Sequence, residues 1–183
     1  DGIRLGAVVG VEADVAALFS QLEDIFSKRP YLLGDRPTLA DVGFSGPFFR
    51  HFALDPIPLQ VLRHTAPNTL EWVMRLWNSR PESLQGALIQ GVPDDIHALL
   101  QHMARGYLPY LNANVDAVRQ GKSTFTAKVD GVTYTQARSS HYRVWCLSEL
   151  RSRFNVVPQD VQPGLELLLT KAGIWEALWA QDD

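Results

Sequence analysis

The first apolar pattern along the chain predicts an amphipathic helix over residues 11–28. Its apolar side chains recur every three or four positions, at Val15, Leu18, Phe19, Leu22, Ile25 and Phe26. This spacing places them on one face of a helix, with the acidic residues elsewhere on its surface. The ten residues before it have the character of a loop that leads into the helix.

The second pattern predicts a helix that lacks a polar face. Residues 42–49 are apolar or small on nearly every side, so we expect the helix over 38–53 to lie buried at the centre of the fold. Pro47 lacks the N–H that would bond to the Gly43 carbonyl, which predicts a bend between Gly43 and Gly46. The same two glycines would allow a neighbouring helix to approach closely.

Prolines and polar residues set the limits of the next helix. The three prolines between 55 and 67 argue against a continuous helix there, although a short turn could form. A helix is predicted over 68–79, where Asn68 and Glu71 offer a capping box. It ends before Pro81, because the residue that precedes a proline is disfavoured in a helix.

A long helix is predicted over 94–119, after a candidate linker at 83–93. Its apolar positions keep a helical period across Pro109, which predicts a kink in one helix rather than a break. Gly121 would close this helix.

The period of the pattern then changes from helical to extended. Two segments rich in β-branched and aromatic residues flank Asp130-Gly131 within 123–136. This arrangement predicts a β-hairpin with a type I′ turn. An isolated hairpin is only marginally stable, so we expect its apolar side chains to pack on the helical body, namely Phe125, Val129 and Tyr134.

Helical spacing returns after the hairpin, at 139–154, 160–171 and 173–180. The chain contains no internal repeat and no low-complexity segment. The predicted fold class is therefore an all-α helical bundle with one β-hairpin insertion near 123–136.

The loop before the central helix carries a specific local signal. Residues 31–41 read YLLGDRPTLAD. Thr38 can accept the backbone N–H of Asp41, and the Asp41 carboxylate can accept the N–H of Thr38, a capping box in its Asp form. Removing either partner should cost about 0.5–2 kcal/mol.

A central helix opened by Pro-Thr-Leu-Ala-Asp after a Leu-Gly loop resembles the C-terminal helical domain of the glutathione S-transferase family. An amphipathic helix before this cap, and a proline-rich loop and tryptophan-bearing helix after it, extend the resemblance over residues 10–82. The segment Tyr142–Leu147 resembles an extension found in some bacterial members. We therefore expect one helical domain over 1–183, with its core at about 10–82 and an extension at about 94–183.

The resemblance also implies where the chemistry of such a protein lies. In the family an upstream thioredoxin-like domain binds glutathione and activates its thiol, whereas the helical domain supplies an apolar wall for an electrophile. The chain begins at Asp1 without a methionine, so we expect that domain to be missing here and this chain alone to be inactive. The implied partners are an apolar electrophile, the thioredoxin-like domain and a second copy in a homodimer. No catalytic residue and no cofactor is assigned to this chain itself.

The composition mainly excludes functions. The 46% hydrophobic and 20% charged fractions are ordinary for a globular protein. A net charge of −3 gives no electrostatic footprint for nucleic acid or for an anionic membrane. The apolar run from Leu5 to Val11 is too short to span a bilayer. The single cysteine, Cys146, excludes an internal disulfide and fits a reducing compartment, so we expect a cytoplasmic protein.

Few side chains point directly to chemistry. No two of the five histidines stand four residues apart, the spacing of a paired metal site on a helix, so no metal site is predicted. Cys146 lies between Trp145 and Leu147 in a predicted helix and is interpreted as a core residue rather than a nucleophile. The chain also lacks the glycine-rich phosphate-binding motifs and the Gly-x-Ser-x-Gly hydrolase motif.

Candidate substrate-binding residues occur at two places. Phe48, Arg50 and His51 end the central helix, where they could line an apolar pocket. The favoured alternative places the phenylalanine in the core and the two polar side chains in solvent. Tyr107 flanks Pro109, and a kink there could open a pocket, although an aromatic residue at helical spacing is more often part of the core.

The leading functional hypothesis is the electrophile-side domain of a glutathione S-transferase-like protein. Joined to its thioredoxin-like domain, it would transfer glutathione to an apolar electrophile. The alternative is a non-catalytic interaction or scaffold module with the same fold. A third hypothesis is a small-ligand binder that uses a pocket between the helices and the hairpin.

Overall fold

The computed structural model describes the chain from Leu5 to Ala180, except for the side chains at 5–9 and at Ser83. Its α-helices are α1 (Leu5–Phe26), α2 (Leu39–Pro47), α3 (Pro56–Thr65), α4 (Pro67–Trp77), α5 (Asp94–Arg105), α6 (Tyr107–Arg119), α7 (His141–Asn155), α8 (Gln162–Lys171) and α9 (Trp175–Trp179). Strands β1 (Thr124–Val129) and β2 (Val132–Arg138) form an antiparallel hairpin. A helical protein with one hairpin confirms the predicted fold class.

The described residues group into two compact units. The first unit is Asp14–His97. The second unit consists of the residues before Asp14 together with those from Ala98 onward, so the division falls within α1 and within α5.

The inner face of α1 organises the core of the first unit. Phe19, Leu22, Ile25 and Phe26 are buried, as the helical pattern predicts. The Phe26 ring stacks on the Trp72 indole of α4, with ring centroids 4.6 Å apart. The helix already begins at Leu5. The prediction of a loop over the first ten residues is therefore wrong from Leu5 onward, because no proline or polar cluster interrupts the helical segment there.

The central helix α2 is buried on one side and open on the other. The capping box between Thr38 and Asp41 is present, as predicted. Asp41 and Ser45 are buried, but Leu39 is 81% exposed and Val42 is 58% exposed. The expectation of a helix buried on every side is therefore wrong, because neighbouring helices cover one face of it.

The glycines of α2 do not receive the close neighbour that the sequence suggested. Among the described residues, no atom apart from the adjoining residues and backbone of α2 lies within 4 Å of the position that a Cβ on Gly43 or Gly46 would take. The helix continues through Pro47 and then widens into a π-helical turn over Phe48–Phe52, closed by the Ala53 N–H donating to the Phe48 carbonyl at 2.8 Å. The sequence predicted a bend before Pro47. The structure instead has a wider helical turn after it.

The proline-rich segment forms the helix α3, against expectation. Pro56 lies at its first position and Pro58 still within its first turn. Backbone N–H groups in the first turn have no partner inside a helix, so a proline there removes nothing. The same prolines in the middle of a helix would have interrupted it.

The cap of α4 comes from a distant helix. One carboxylate oxygen of Glu23 accepts the Asn68 N–H at 3.2 Å and its side-chain amide at 2.6 Å, and the other accepts the Thr69 N–H at 3.0 Å. Glu71 instead pairs with Arg75 on the helix surface at 3.7 Å. The predicted capping box of Asn68 and Glu71 is therefore wrong, because a carboxylate from α1 already satisfies these first-turn N–H groups.

The candidate linker at 83–93 is bound to the loop that precedes α2. Two backbone hydrogen bonds of 2.9 Å join it to this loop, at Leu33 and at Asp35. Gly34 lies between them with φ +139°, and a Cβ there would stand 2.5 Å from the Ala87 carbonyl oxygen. A side chain at this position would force the two segments apart, so Gly34 allows their close approach.

An ion pair holds the same loop to the start of α5. Two guanidinium nitrogens of Arg29 contact the two carboxylate oxygens of Asp95, each at 2.7 Å, and both side chains are largely buried. The Arg29 Nε also donates to the Leu32 carbonyl at 2.9 Å. Hydrogen bonding from Arg29 lowers the pKa of Asp95 below its ordinary 3.8.

The second unit is centred on α6. The predicted long helix is present as α5 and α6, separated at Gly106, where a kink in one helix was expected. Pro109 cannot donate to the Arg105 carbonyl, so the helical hydrogen-bond pattern is interrupted at the residue next to that carbonyl. Leu108 and Leu111 of α6 then pack against Leu147 of α7 and against α9.

The hairpin has the predicted turn. Asp130 and Gly131 both have positive φ, +47° and +81°, as a type I′ turn requires. The rings of Phe125 and Tyr134 lie 5.3 Å and 6.0 Å from the Tyr110 ring of α6. The hairpin therefore packs on the helices, as predicted.

Candidate functional site

The buried Asp41 carboxylate joins three segments of the first unit. Its Oδ1 accepts the Leu32 N–H at 2.9 Å and the Trp72 Nε1–H at 3.0 Å. Its Oδ2 accepts the N–H and the hydroxyl of Thr38, at 2.8 Å and 2.9 Å. Because donors surround both oxygens, Asp41 is committed to holding the start of α2 in place.

The end of the central helix divides into buried and exposed side chains. Phe48 is fully buried, with the rings of Phe52 and Trp72 at 5.1 Å and 5.5 Å, so it offers a ligand no surface. Arg50 and His51 are exposed, and His51 Nδ1 lies 3.6 Å from an Asp55 carboxylate oxygen. The structure favours the core alternative for Phe48, while a binding role for the two polar side chains stays a prediction.

An exposed stripe on α2 leads toward this helix end. We call it the outer face of α2, and it consists of Leu39, Val42, Gly43 and Gly46. Leu39 precedes Val42 and Gly43 by three and four positions, and these two precede Gly46 by four and three, so all four exposed residues share one side of the helix. In the part of the chain that the structure describes, nothing outside the adjoining residues and backbone of α2 comes within 4 Å of a Cβ placed on either glycine. An apolar helix face with glycines can take a neighbour at short distance, so the outer face of α2 is a candidate contact surface.

Tyr107 belongs to the second unit, whereas Phe48, Arg50 and His51 belong to the first. Its side chain is exposed, and its hydroxyl interacts with the Cys146 side chain of α7. Burial raises the pKa of Tyr107 above its ordinary 10.0, and the Cys146 side chain adds to this effect. The hydroxyl therefore stays protonated at neutral pH, as a hydrogen-bond donor or acceptor.

The second unit also contains an apolar cavity of about 570 Å³. Residues from α5, α6, α7, α8 and α9 line it, and Tyr107 stands at its edge. Sequence reasoning missed this cavity, because the leucines that line it have the same helical spacing as leucines that pack in a core. Tyr107 was the one sequence signal that pointed toward it.

A separate, polar cleft lies between α6 and the hairpin, where a ligand pocket was hypothesised. Its volume is about 460 Å³, and its lining includes Asp116, Lys122 and Gln136. Gln136 adopts φ +56° at a register shift between the strands, which turns its backbone away from the regular ladder.

Two structural observations concern metal ligands and membrane spans. Within residues 5–180, no group of three or more histidine, cysteine, aspartate or glutamate side chains is arranged to hold a metal ion. None of the helices in that range has the length and hydropathy that crossing a bilayer requires.

Comparison with known proteins identifies the family of the first part of the chain. Residues 8–80 match the family model described as glutathione S-transferase, C-terminal domain. This segment belongs to that family. No curated protein and no solved structure matches the chain.

The glutathione S-transferase C-terminal domain therefore covers most of α1 and all of α2 to α4, together with the capping box and the outer face of α2. The match confirms the resemblance that the capping motif suggested. Tyr107, the apolar cavity and the hairpin lie outside the matched residues.

Proposed function

We propose that this glutathione S-transferase C-terminal domain is the electrophile-facing part of a transferase. Its thioredoxin-like domain would bind glutathione and promote loss of the thiol proton. The thiolate sulfur would then bond to a carbon of an apolar electrophile while the bond from that carbon to its leaving group breaks. The observation that carries the proposal is the outer face of α2, which lies within the matched segment. Leu39 and Val42 expose apolar surface there, and covering such surface is favourable.

In this proposal the chain contributes binding and exclusion of water. The thioredoxin-like domain would supply the activated thiol, whose thiolate is the nucleophile. Leu39 and Val42 would form the apolar wall beside it, and Arg50 and His51 would contact polar parts of the substrate at the end of that wall. The Asp41 hydrogen bonds would keep the wall in place.

The first test measures glutathione binding to this chain alone by calorimetry. We expect no measurable affinity, because the proposal places the tripeptide site in another domain. Micromolar binding of glutathione to this chain would contradict the proposal that the glutathione site lies in another domain.

The second test measures glutathione transfer by the full-length gene product with a chromogenic apolar electrophile. Val42→Asp should lower kcat/KM at least about tenfold, because a charge would have to be desolvated in the wall. The matched control is Ile57→Asp on α3, where the side chain is 79% exposed and lies off the outer face. Equal activities of the two variants would refute the role of this face, and loss of folding is checked by circular dichroism.

The alternative is a non-catalytic interaction module, and the same exposed face favours it, since a protein partner could cover Leu39 and Val42. It predicts a full-length product that transfers no glutathione to any of several electrophiles. Val42→Asp would then abolish assembly with the partner while Ile57→Asp would not. We also propose a cytoplasmic location, supported by the unpaired thiol of Cys146.

A further inference from the structure

The apolar cavity of the second unit has a buried floor and an open mouth. Its floor includes the buried side chains of Leu108, Ile174 and Leu178. Among the lining residues that the structure describes, those exposed to solvent are Tyr107, Leu150 and Arg153, and they mark the mouth. The space between this floor and mouth measures about 570 Å³ and is open to solvent at the mouth, so a ligand can enter it without unfolding the unit.

The size and lining of the cavity resemble those of small-molecule sites. Such sites measure roughly 300–1,000 Å³ and combine an apolar wall with a few polar groups. The polar groups among the described lining residues belong to Tyr107 and Arg153, both at the mouth. A ligand would therefore place an apolar body inside and a polar end outside.

The chemistry of Arg153 selects the polar end. A guanidinium group only donates hydrogen bonds and always carries a positive charge, so the end group beside it should be an acceptor with negative charge. We propose that the cavity binds a small carboxylate with an apolar chain, with the chain inside and the carboxylate at Arg153.

The charge of Glu149 limits how much Arg153 contributes to the affinity for a carboxylate. Arg153 Nε contacts a carboxylate oxygen of Glu149 at 2.9 Å, and the Arg153 side chain is 68% exposed. Solvent screening and the Glu149 charge both weaken the attraction for an anion. Burial of the apolar chain therefore supplies most of the affinity, and Arg153 mainly orients the ligand.

A small molecule fits this site better than a protein segment does. A stable protein contact covers about 800 Å² on each partner, spread over some 20–30 residues. The cavity instead is a concave pocket lined by five helices, and three exposed side chains surround its mouth. The cavity also lies outside residues 8–80, so the ligand-binding proposal does not depend on the proposed transferase function.

The test uses this chain with decanoate as the probe and decanol as its uncharged analogue. We expect decanoate to bind and to raise the melting temperature by about 5–10 °C at a hundredfold excess over Kd. Leu150→Trp, at the mouth, should fill the cavity and weaken decanoate binding more than about tenfold. Its matched control is Leu167→Trp, on α8 and exposed but not in the lining, which should bind decanoate as the parent does.

Arg153 is tested separately, because its removal should leave the fold intact. Arg153→Ala should weaken decanoate binding by about two- to fivefold and leave decanol binding unchanged. Arg138→Ala, an exposed arginine on β2, is the control for loss of charge.

Three outcomes would overturn the proposal. The first is the absence of any decanoate effect on melting or calorimetry in a folded chain. The second is equal binding by the Leu150→Trp and Leu167→Trp variants, which would place the ligand elsewhere. The third is a dimer in sedimentation that Leu150→Trp converts to monomer, which would show that a second copy covers the mouth.

Discussion

Replacing Asp41 by alanine should destabilise the first unit by more than the loss of a helix cap. The capping box alone is worth about 0.5–2 kcal/mol. The structure adds two further donors, the Leu32 N–H and the Trp72 Nε1–H, which belong to buried residues and both bond to Asp41 Oδ1. Each buried donor left without a partner costs about 1–3 kcal/mol.

We therefore expect Asp41→Ala to lower the free energy of unfolding by about 3–6 kcal/mol. The upper end of this range lies below that of the summed terms, because the variant no longer buries a carboxylate. Asp41→Asn should recover less than half of the loss, since its amide has one acceptor oxygen for two groups of donors. The matched control is Asp35→Ala, an exposed carboxylate in the same loop, which should stay within about 0.5 kcal/mol of the parent.

Urea unfolding followed by circular dichroism measures these changes. A double-mutant cycle with Trp72→Phe isolates the indole hydrogen bond, and we expect a coupling of about 1–2 kcal/mol with Asp41→Ala. If Asp41→Ala loses less than about 1 kcal/mol, or if it matches Asp35→Ala, the carboxylate does not satisfy these buried donors.

Three other changes test long-range contacts and the turn. Glu23→Ala should cost about 1–2 kcal/mol in urea unfolding by uncapping α4, whereas Asp24→Ala, an exposed neighbour, should cost under about 0.5 kcal/mol; equal costs would refute the cap. Asp95→Asn should cost about 1–3 kcal/mol at pH 7. Hydrogen bonding from Arg29 lowers the pKa of Asp95, so the stability that the ionised carboxylate contributes is fully present above the ordinary 3.8 and is lost as the pH falls through the lowered pKa. A cost of Asp95→Asn that does not shrink as the pH falls below 3.8 would contradict this. Gly131→Ala should lose about 1–2 kcal/mol in thermal unfolding because φ there is +81°, and Gly131→Asn should lose less; equal losses would argue against backbone strain as the cause.

Features that depend on neighbouring residues were predictable from the sequence. The capping box joins residues three positions apart, and the hairpin turn depends on Asp130 and Gly131 together with the strands beside them. The apolar face of α1 follows from helical periodicity in the same way. In each case the interaction that decides the structure lies within a few residues along the chain.

Features that depend on distant residues were not predictable. Glu23 caps a helix 45 positions away, and Arg29 pairs with Asp95 across 66 positions. A single sequence contains nothing that links such positions, so the weaker local signal of Asn68 and Glu71 suggested the wrong cap. The prolines of α3 misled for a related reason, because their effect depends on where the helix begins.

The sequence by itself determined the helical fold, the hairpin and, through one capping motif, the family of residues 8–80. Tertiary structure decided which apolar side chains are covered. Leu39 and Val42 have the pattern of a core helix yet lie in solvent, and the leucines beside Tyr107 have the same pattern yet surround a cavity. Periodicity reports which side of a helix is apolar, whereas burial depends on what packs against that side. The candidate sites lie where the apolar side of a helix is not covered by a neighbouring element.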